Sequence, residues 1–282
     1  MSSNKSRSLP SLVAFYNDAS VNRITDLSTV TETLRTRDLV AGYVALLEAA
    51  PRRHLHGKTY FTGHTGVTSS GHHSNRREEH LAVALRNAYG GNSPLQLPDS
   101  RTLNLLDYQT PLKARRADTG IGKIDLFGVI DGSLPCVIEL KVPTASGGRS
   151  DTPLRAFLEA FAYCAIVEAN IDELAAEAAA TLGCEITRDR SALMVMAPED
   201  YWLSYLRKPR AGDWWPPLER LATDLAVSLS LESHFIALRD AHFDMGLAGN
   251  PPRLTGAVSR SRLQISLHPK WIRREAVPRR YP

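Results

Sequence analysis

The chain has 282 residues, 43% of them hydrophobic and 23% charged, with a formal net charge of +4. That composition excludes a disordered or collagen-like chain, and the length suits one substantial core. No apolar run reaches the roughly eighteen residues of a membrane span, and the N-terminal stretch has no signal-like apolar segment, so a cytoplasmic protein away from membranes is expected.

Residues 38–49 carry apolar side chains at helical spacing after an acidic start, and Pro51 ends that helix. Residues 51–74 are rich in Gly, Ser, Thr and His without periodicity, which reads as loop with one short strand at Lys58 to Thr62. The histidines there match no ligand spacing, and a solvated loop is the better reading. Ser74 is placed to cap a helix that ends at Gly90 and Gly91, with Leu81, Leu85 and Ala88 as its buried stripe. Three residues before Leu81 stands Glu78, on the edge of that stripe, whereas Glu79 points about 100° away.

Three strands are expected next, at 101–112, 123–130 and 135–142, with the turn Asp131-Gly132-Ser133 between the last two. Pro153 then opens a helix bearing Leu154, Phe157, Leu158, Phe161, Ala165 and Ile166, and a second helical run follows. Residues 191–198 and 233–240 read as further strands, separated by helical stretches at 199–207 and 217–230. The order predicts an α/β fold of three layers, a mixed central sheet with an antiparallel meander and further strands, flanked by helices. The expected organisation is an N-terminal helical and loop extension over 1–74, a core over 75–245 and a basic tail over 246–282, whose Arg and Lys could track phosphates or simply aid solubility. Cys136, Cys164 and Cys184 show no CxxC pairing, so reduced, buried thiols are expected and structural zinc is not.

The meander carries an anomaly. Asp125, Glu139 and Lys141 interrupt two otherwise apolar strands, and alternation puts Glu139 and Lys141 on one face. A turn centred near Gly132 sets Asp125 opposite Glu139; a slip of one on each side sets it opposite Lys141. In either register two carboxylates stand together and need a cation to remain ionised. Lys141 offers one charge; a magnesium ion offers two and accepts carboxylates, a backbone carbonyl such as that of Leu140, and water. A plain cross-strand salt bridge between Asp125 and Lys141 is the alternative, weakened by the apolar surroundings.

The pattern of Asp125, thirteen residues, then Glu139-Leu140-Lys141, on a strand-turn-strand after a helix bearing Glu78, resembles the PD-(D/E)xK superfamily of restriction-endonuclease-like nucleases. The resemblance runs over about Asn75 to Tyr163. It implies a restriction endonuclease-like core, a Mg²⁺ or Mn²⁺ ion on Asp125 and Glu139 with Glu78 and the Leu140 carbonyl adjoining, and Lys141 orienting the attacking water. Some branches carry Gln and Tyr one turn apart on the following helix; here Arg155, Glu159 and Tyr163 stand at that spacing, with Glu in place of Gln. Glu159 and Tyr163, and Arg149 in the loop after Lys141, are substrate-contact candidates. An exposed Arg155 to Glu159 pair with Tyr163 in the core is an equal reading.

The resemblance thus implies a metal-dependent endonuclease or other nuclease, on DNA rather than RNA, in bacterial defence or restriction; a homodimer would supply two sites for the two strands. The competing reading is a nucleic-acid-binding module that keeps the fold without the chemistry. A small-molecule α/β enzyme ranks last, since no GxGxxG, GxxxxGK[ST] or GxSxG motif is present.

Overall fold

The computed structural model describes residues 11–68, 76–143, 151–207, 209–239, 247–254 and 264–266. Its helices are α1 (Leu12–Tyr16), α2 (Leu27–Thr33), α3 (Thr36–Ala49), α4 (Arg77–Tyr89), α5 (Pro153–Ala169), α6 (Ile171–Leu182), α7 (Glu199–Leu206) and α8 (Trp215–Leu229). The strands are β1 (Leu95–Gln96), β2 (Thr102–Pro111), β3 (Lys123–Ile130), β4 (Leu134–Leu140), β5 (Ser191–Pro198), β6 (Leu231–Arg239), β7 (Leu247–Ala248), β8 (Arg253–Leu254) and β9 (Gln264–Ser266). A seven-stranded sheet runs in the order β1-β2-β3-β4-β5-β6-β9, and β7 and β8 form a small separate hairpin. Strands β2, β3 and β4 are an antiparallel meander, β4, β5 and β6 run parallel, and β9 returns antiparallel, so the sheet is mixed.

The central strands follow from their sequences. β4 is buried along its whole length and β5 along all but its last residue, as befits near-continuous apolar runs in the middle of a sheet covered on both faces. The β3–β4 turn puts Asp131 and Gly132 in the left-handed region, at φ 49° and 81°, where Gly is unstrained and Asp is tolerated. α5 starts where Thr152 accepts a hydrogen bond from the Arg155 backbone N–H at 3.2 Å, with Pro153 in the first turn.

Two apolar layers sandwich the sheet. On one face Leu81 and Leu85 of α4 pack on Leu103, Leu126, Ile138 and Met194. On the other, Phe157 and Phe161 of α5, with residues of α3 and α8, cover Phe127, Val137 and Val195. The expected three layers are therefore present. Trp202, Trp214 and Trp215 are buried in this second layer as packing anchors.

The N-terminal stretch packs differently from the extension expected over 1–74. Leu12, Tyr16, Leu27, Leu39 and Tyr43 belong to the same core as α5, and the Tyr43 hydroxyl donates to Glu168 Oε2 at 2.6 Å. No strand forms at Lys58 to Thr62, because the Glu177 carboxylate takes the backbone N–H groups of Tyr60 (2.8 Å) and Phe61 (2.7 Å) that a ladder would need. Cys136 and Cys164 are buried free thiols, but Cys184 is half-exposed. Ser74, and most of the tail after Leu254, lie outside the described residues. No helix among the described residues is long and apolar enough to cross a membrane.

If α3 is core rather than appendage, Leu39→Ala should lower unfolding free energy by about 2–5 kcal/mol in urea denaturation, as large-to-small changes in packed interiors do. A change near zero would return α3 to the status of an appendage.

Candidate active site at the end of the meander

The β3–β4 ladder pairs Leu126 with Ile138 and stops there. Its register sets Asp125 across from Glu139, the first of the two alternatives read from the sequence. Beyond that rung the strands part, and the backbone N–H of Leu140, which another rung would have used, donates to Asp125 Oδ2 at 2.9 Å. In an antiparallel strand a residue's N–H and C=O point the same way, so the Leu140 carbonyl also faces this fork. Meanwhile Lys141 continues the parallel pairing, donating its backbone N–H to the Met196 carbonyl at 3.0 Å. The fork is therefore made where the chain leaves one neighbour and keeps the other.

Four side chains converge on it. Lys141 Nζ lies 2.6 Å from Glu139 Oε1, with the two side chains only 3% and 5% exposed. Asp125 is half-buried, its Oδ1 accepting from Gln109 Nε2 at 3.0 Å. Gln109 holds a left-handed backbone, φ 51°, just past an irregularity in the β2–β3 pairing between Leu105 and Asp107. A non-glycine residue in that conformation costs on the order of 1–3 kcal/mol, and here it aims the amide at Asp125. Glu78, from the first turn of α4, reaches the same cluster, whereas Glu79 turns away to pair with Arg76 at 3.2 Å.

Asp151, which the sequence reading passed over, is the other anchor of Lys141, at 3.6 Å. It forms an ion pair with Arg155 one helical turn on, and its Oδ1 accepts from Asn22 Nδ2 at 2.9 Å. Its carbonyl accepts from the hydroxyls of Tyr201 (2.8 Å) and Tyr205 (3.1 Å). An Asp four residues before an Arg at the start of a helix was the available signal. Arg155 thus has Asp151, not Glu159, as its ion-pair partner.

Glu159 and Tyr163 stand behind the cluster. The Tyr163 hydroxyl donates to Glu159 Oε1 at 2.9 Å and accepts from the Gly122 N–H at 3.0 Å. A Cβ on Gly122 would come within 2.5 Å of that hydroxyl, so only glycine fits the approach. Tyr163 is buried, and Tyr16 packs edge-on against it with ring centroids 6.1 Å apart. That placement makes Tyr163 a support for the segment entering β3 rather than the substrate contact expected of it. Arg149 lies outside the described residues.

The charges do not balance. Glu78, Asp125, Glu139, Asp151 and Glu159 face Lys141 and Arg155 in one interacting group. Burial, and then the Asp125 charge, hold the Glu139 carboxyl well above the usual carboxylate range; burial likewise raises Asp125 and Glu78. Burial alone would lower the Lys141 ammonium, but Glu139, Glu78 and Asp125 outweigh it and raise it well above its ordinary value. Asp151 goes the other way: burial works to raise it, and Lys141 and Arg155 together bring it below the usual range.

Glu139 Oε2 is buried without a hydrogen-bond partner. A carboxylate oxygen left so beside a second carboxyl, in a group with excess negative charge, suits either a proton or a hard cation. Among the described residues no three His, Cys, Asp or Glu side chains form a ready-made metal cage. Magnesium does not require one, since it keeps several waters and binds through one or two carboxylates. Asp125 and Glu139 are the two carboxyls that such an ion would use, and Glu78 interacts with Asp125 and Lys141 through its charge.

Fold and site together define an α/β protein with a buried carboxylate–lysine cluster at a strand fork. The chain matches no known family model, no curated protein and no solved structure.

A pH dependence follows. Asp125, Glu139 and Glu78 have raised values in the folded state, so metal-free protein binds protons there that the unfolded chain releases. Their contribution is fully present below the unfolded carboxylate value of about 4 and is lost as pH rises through the folded values. Asp151 acts oppositely, its contribution being lost only as pH falls below about 4. Thermal melts in chelator should therefore show stability falling from about pH 4.5 towards neutrality. Glu139→Gln should flatten that slope; an unchanged slope in the variant would refute the assignment.

Proposed function

We propose that this chain is a metal-dependent nuclease hydrolysing phosphodiester bonds, DNA in preference to RNA, built on a PD-(D/E)xK, restriction endonuclease-like core. The observation that carries the reading is the half-buried Asp125 set across from the buried Glu139 at a strand fork, with Lys141 alongside and Glu139 Oε2 unpartnered. A fold alone would not decide function, and this arrangement of charges is what supports the reading.

Asp125 and Glu139 would hold a Mg²⁺ or Mn²⁺ ion, with the Leu140 carbonyl as a further ligand and Glu78 acting on the site through its charge. Such an ion supplies Lewis acidity toward a phosphoryl oxygen and a more acidic bound water. The rest belongs to the protein. Lys141, held between Glu139 and Asp151, is a preorganised ammonium beside the fork, suited to orienting a nucleophilic water and offsetting charge that develops on phosphate. Gln109 fixes one oxygen of Asp125 and the Leu140 N–H the other, so the carboxylate does not rotate freely. Arg155 and Asn22 restrain Asp151, and through it Lys141. A homodimer, cytoplasmic residence and a place in bacterial defence fit this reading.

The test is conversion of supercoiled plasmid to nicked and linear forms with Mg²⁺ or Mn²⁺, against a chelator control. Asp125→Ala and Lys141→Ala should each lower the rate by about 10²–10³, the usual cost of removing one preorganised charge-stabilising group. Cutting that both variants retain would sink the nuclease reading, whereas metal-dependent DNA binding without cutting would favour the non-catalytic module.

A further inference from the structure

The loop between β2 and β3, residues 112–122, turns its cations outward and its one acid inward. Lys113, Arg115 and Arg116 are exposed, as is Lys123 just beyond the loop, whereas the Asp118 side chain is only 10% exposed. Asp118 Oδ2 accepts the backbone N–H groups of Ala114 at 2.8 Å and Arg115 at 2.7 Å, and its Oδ1 lies 3.8 Å from the Arg115 guanidinium. The loop carbonyls are held from outside. Those of Lys113 and Ala114 accept from the side chains of Arg53 and Lys58, and that of Gly120 from the Tyr16 hydroxyl and the Asn17 amide. With the Gly122 N–H bound to Tyr163, the backbone is restrained along its length and presents its side chains preorganised.

These cations stand at the fork's end of the sheet. The β2–β3 ladder closes on the pair Pro111 and Lys123, and Lys123 is two residues before Asp125, about 7 Å along the strand. The opposite end of the sheet treats its arginines differently. There Arg101 is paired with Asp99 and Glu232, Arg188 with Asp172, and Arg190 with Glu232. At the fork's end Lys58, Lys113, Arg116 and Lys123 have no carboxylate partner among the described residues. Like charges gathered without counter-charges repel one another, and a polyanion laid across them relieves that repulsion.

We propose that the β2–β3 loop is the surface on which a DNA duplex lies as it reaches the acid–lysine cluster, with Lys113, Arg116 and Lys123 each meeting a backbone phosphate. The choice of DNA rests on the nuclease reading, but binding alone tests the surface. Contacts of this kind position the duplex and carry no sequence preference. The loop's large apolar side chains, Leu112 and Ile121, are buried, so it has nothing to insert into a lipid surface.

The test is fluorescence anisotropy of a labelled DNA duplex of about 20 base pairs with the full chain, in chelator, between about 50 and 200 mM salt. The logarithm of affinity should fall linearly with the logarithm of salt. Replacing Lys113, Arg116 and Lys123 together by Ala should weaken binding about 10–100-fold and make that slope about 2–3 units shallower. The melting temperature should stay in place, because these side chains have no partner among the described residues to lose. Lys113→Arg with Lys123→Arg should keep both affinity and slope, as should Arg188→Ala with Arg190→Ala at the opposite end of the sheet. An unchanged slope in the triple variant, an equal loss in the Arg188 and Arg190 variant, or no duplex binding by the wild type would overturn the proposal. Wild-type protein that binds as expected yet never cuts plasmid would count against the nuclease reading and leave the surface in place.

Discussion

The ammonium of Lys141, buried at the end of β4, is the interaction on which the surrounding structure depends. A lysine there is unfavourable by itself, and so is each carboxylate around it. They are tolerable only together: Glu139 lies 2.6 Å away, Asp151 3.6 Å, and Glu78 and Asp125 reach it through the low-dielectric interior. Mutual attraction therefore dictates where the elements bearing them must stand. Asp151 in turn collects Asn22 from the N-terminal stretch, Arg155 from α5, and the hydroxyls of Tyr201 and Tyr205 from α7. The chain before α4 is thereby tied to the cluster by polar contacts as well as by its share of the core.

Much of this was legible because it rested on short-range rules. β3 and β5 fall on the residues their alternation and apolar runs mark, and the turn at Asp131 to Ser133 sets the register that brings Asp125 to Glu139. Helical geometry also separates Glu78 from Glu79, since about 100° around the axis sends the first toward Asp125 and Lys141 and the second to Arg76. What stayed hidden depended on partners distant in the chain. α1 and α2, with 5 and 7 residues, are too short to show a period and exist through their packing on α5 and α8. The β-like residues Tyr60 and Phe61 became loop because Glu177, more than a hundred positions away, took their N–H groups.

The same distinction explains the site. Asp125, Glu139 and Lys141 were readable as charges where apolar residues belonged. Asp151 and Gln109 were not, because each sits where its residue type is ordinary: an Asp just before a helix, a Gln on a strand next to the sheet's edge. Only the fold reveals that the first shares an ammonium with Glu139 and that the second adopts a left-handed backbone to reach Asp125. Arg155 shows the reverse hazard, since its spacing to Asp151 and to Glu159 is equally helical. The structure pairs it with the acid that also faces Lys141.

One row of the sheet runs inward from the cluster. Glu139 pairs in register with Val195, and Val195 with Phe235, so Glu139 and Phe235 are two strand spacings apart, about 10 Å. Between them stand aromatic rings: Phe157 stacks on Phe235 at 5.7 Å and Trp202 meets it edge-on at 6.2 Å. This wall excludes water from the inner side of the cluster, which strengthens every charge interaction Glu139 makes. On the other side the cluster reaches the fork between β3 and β4, where the ladder ends and Asp125 keeps its partly open face.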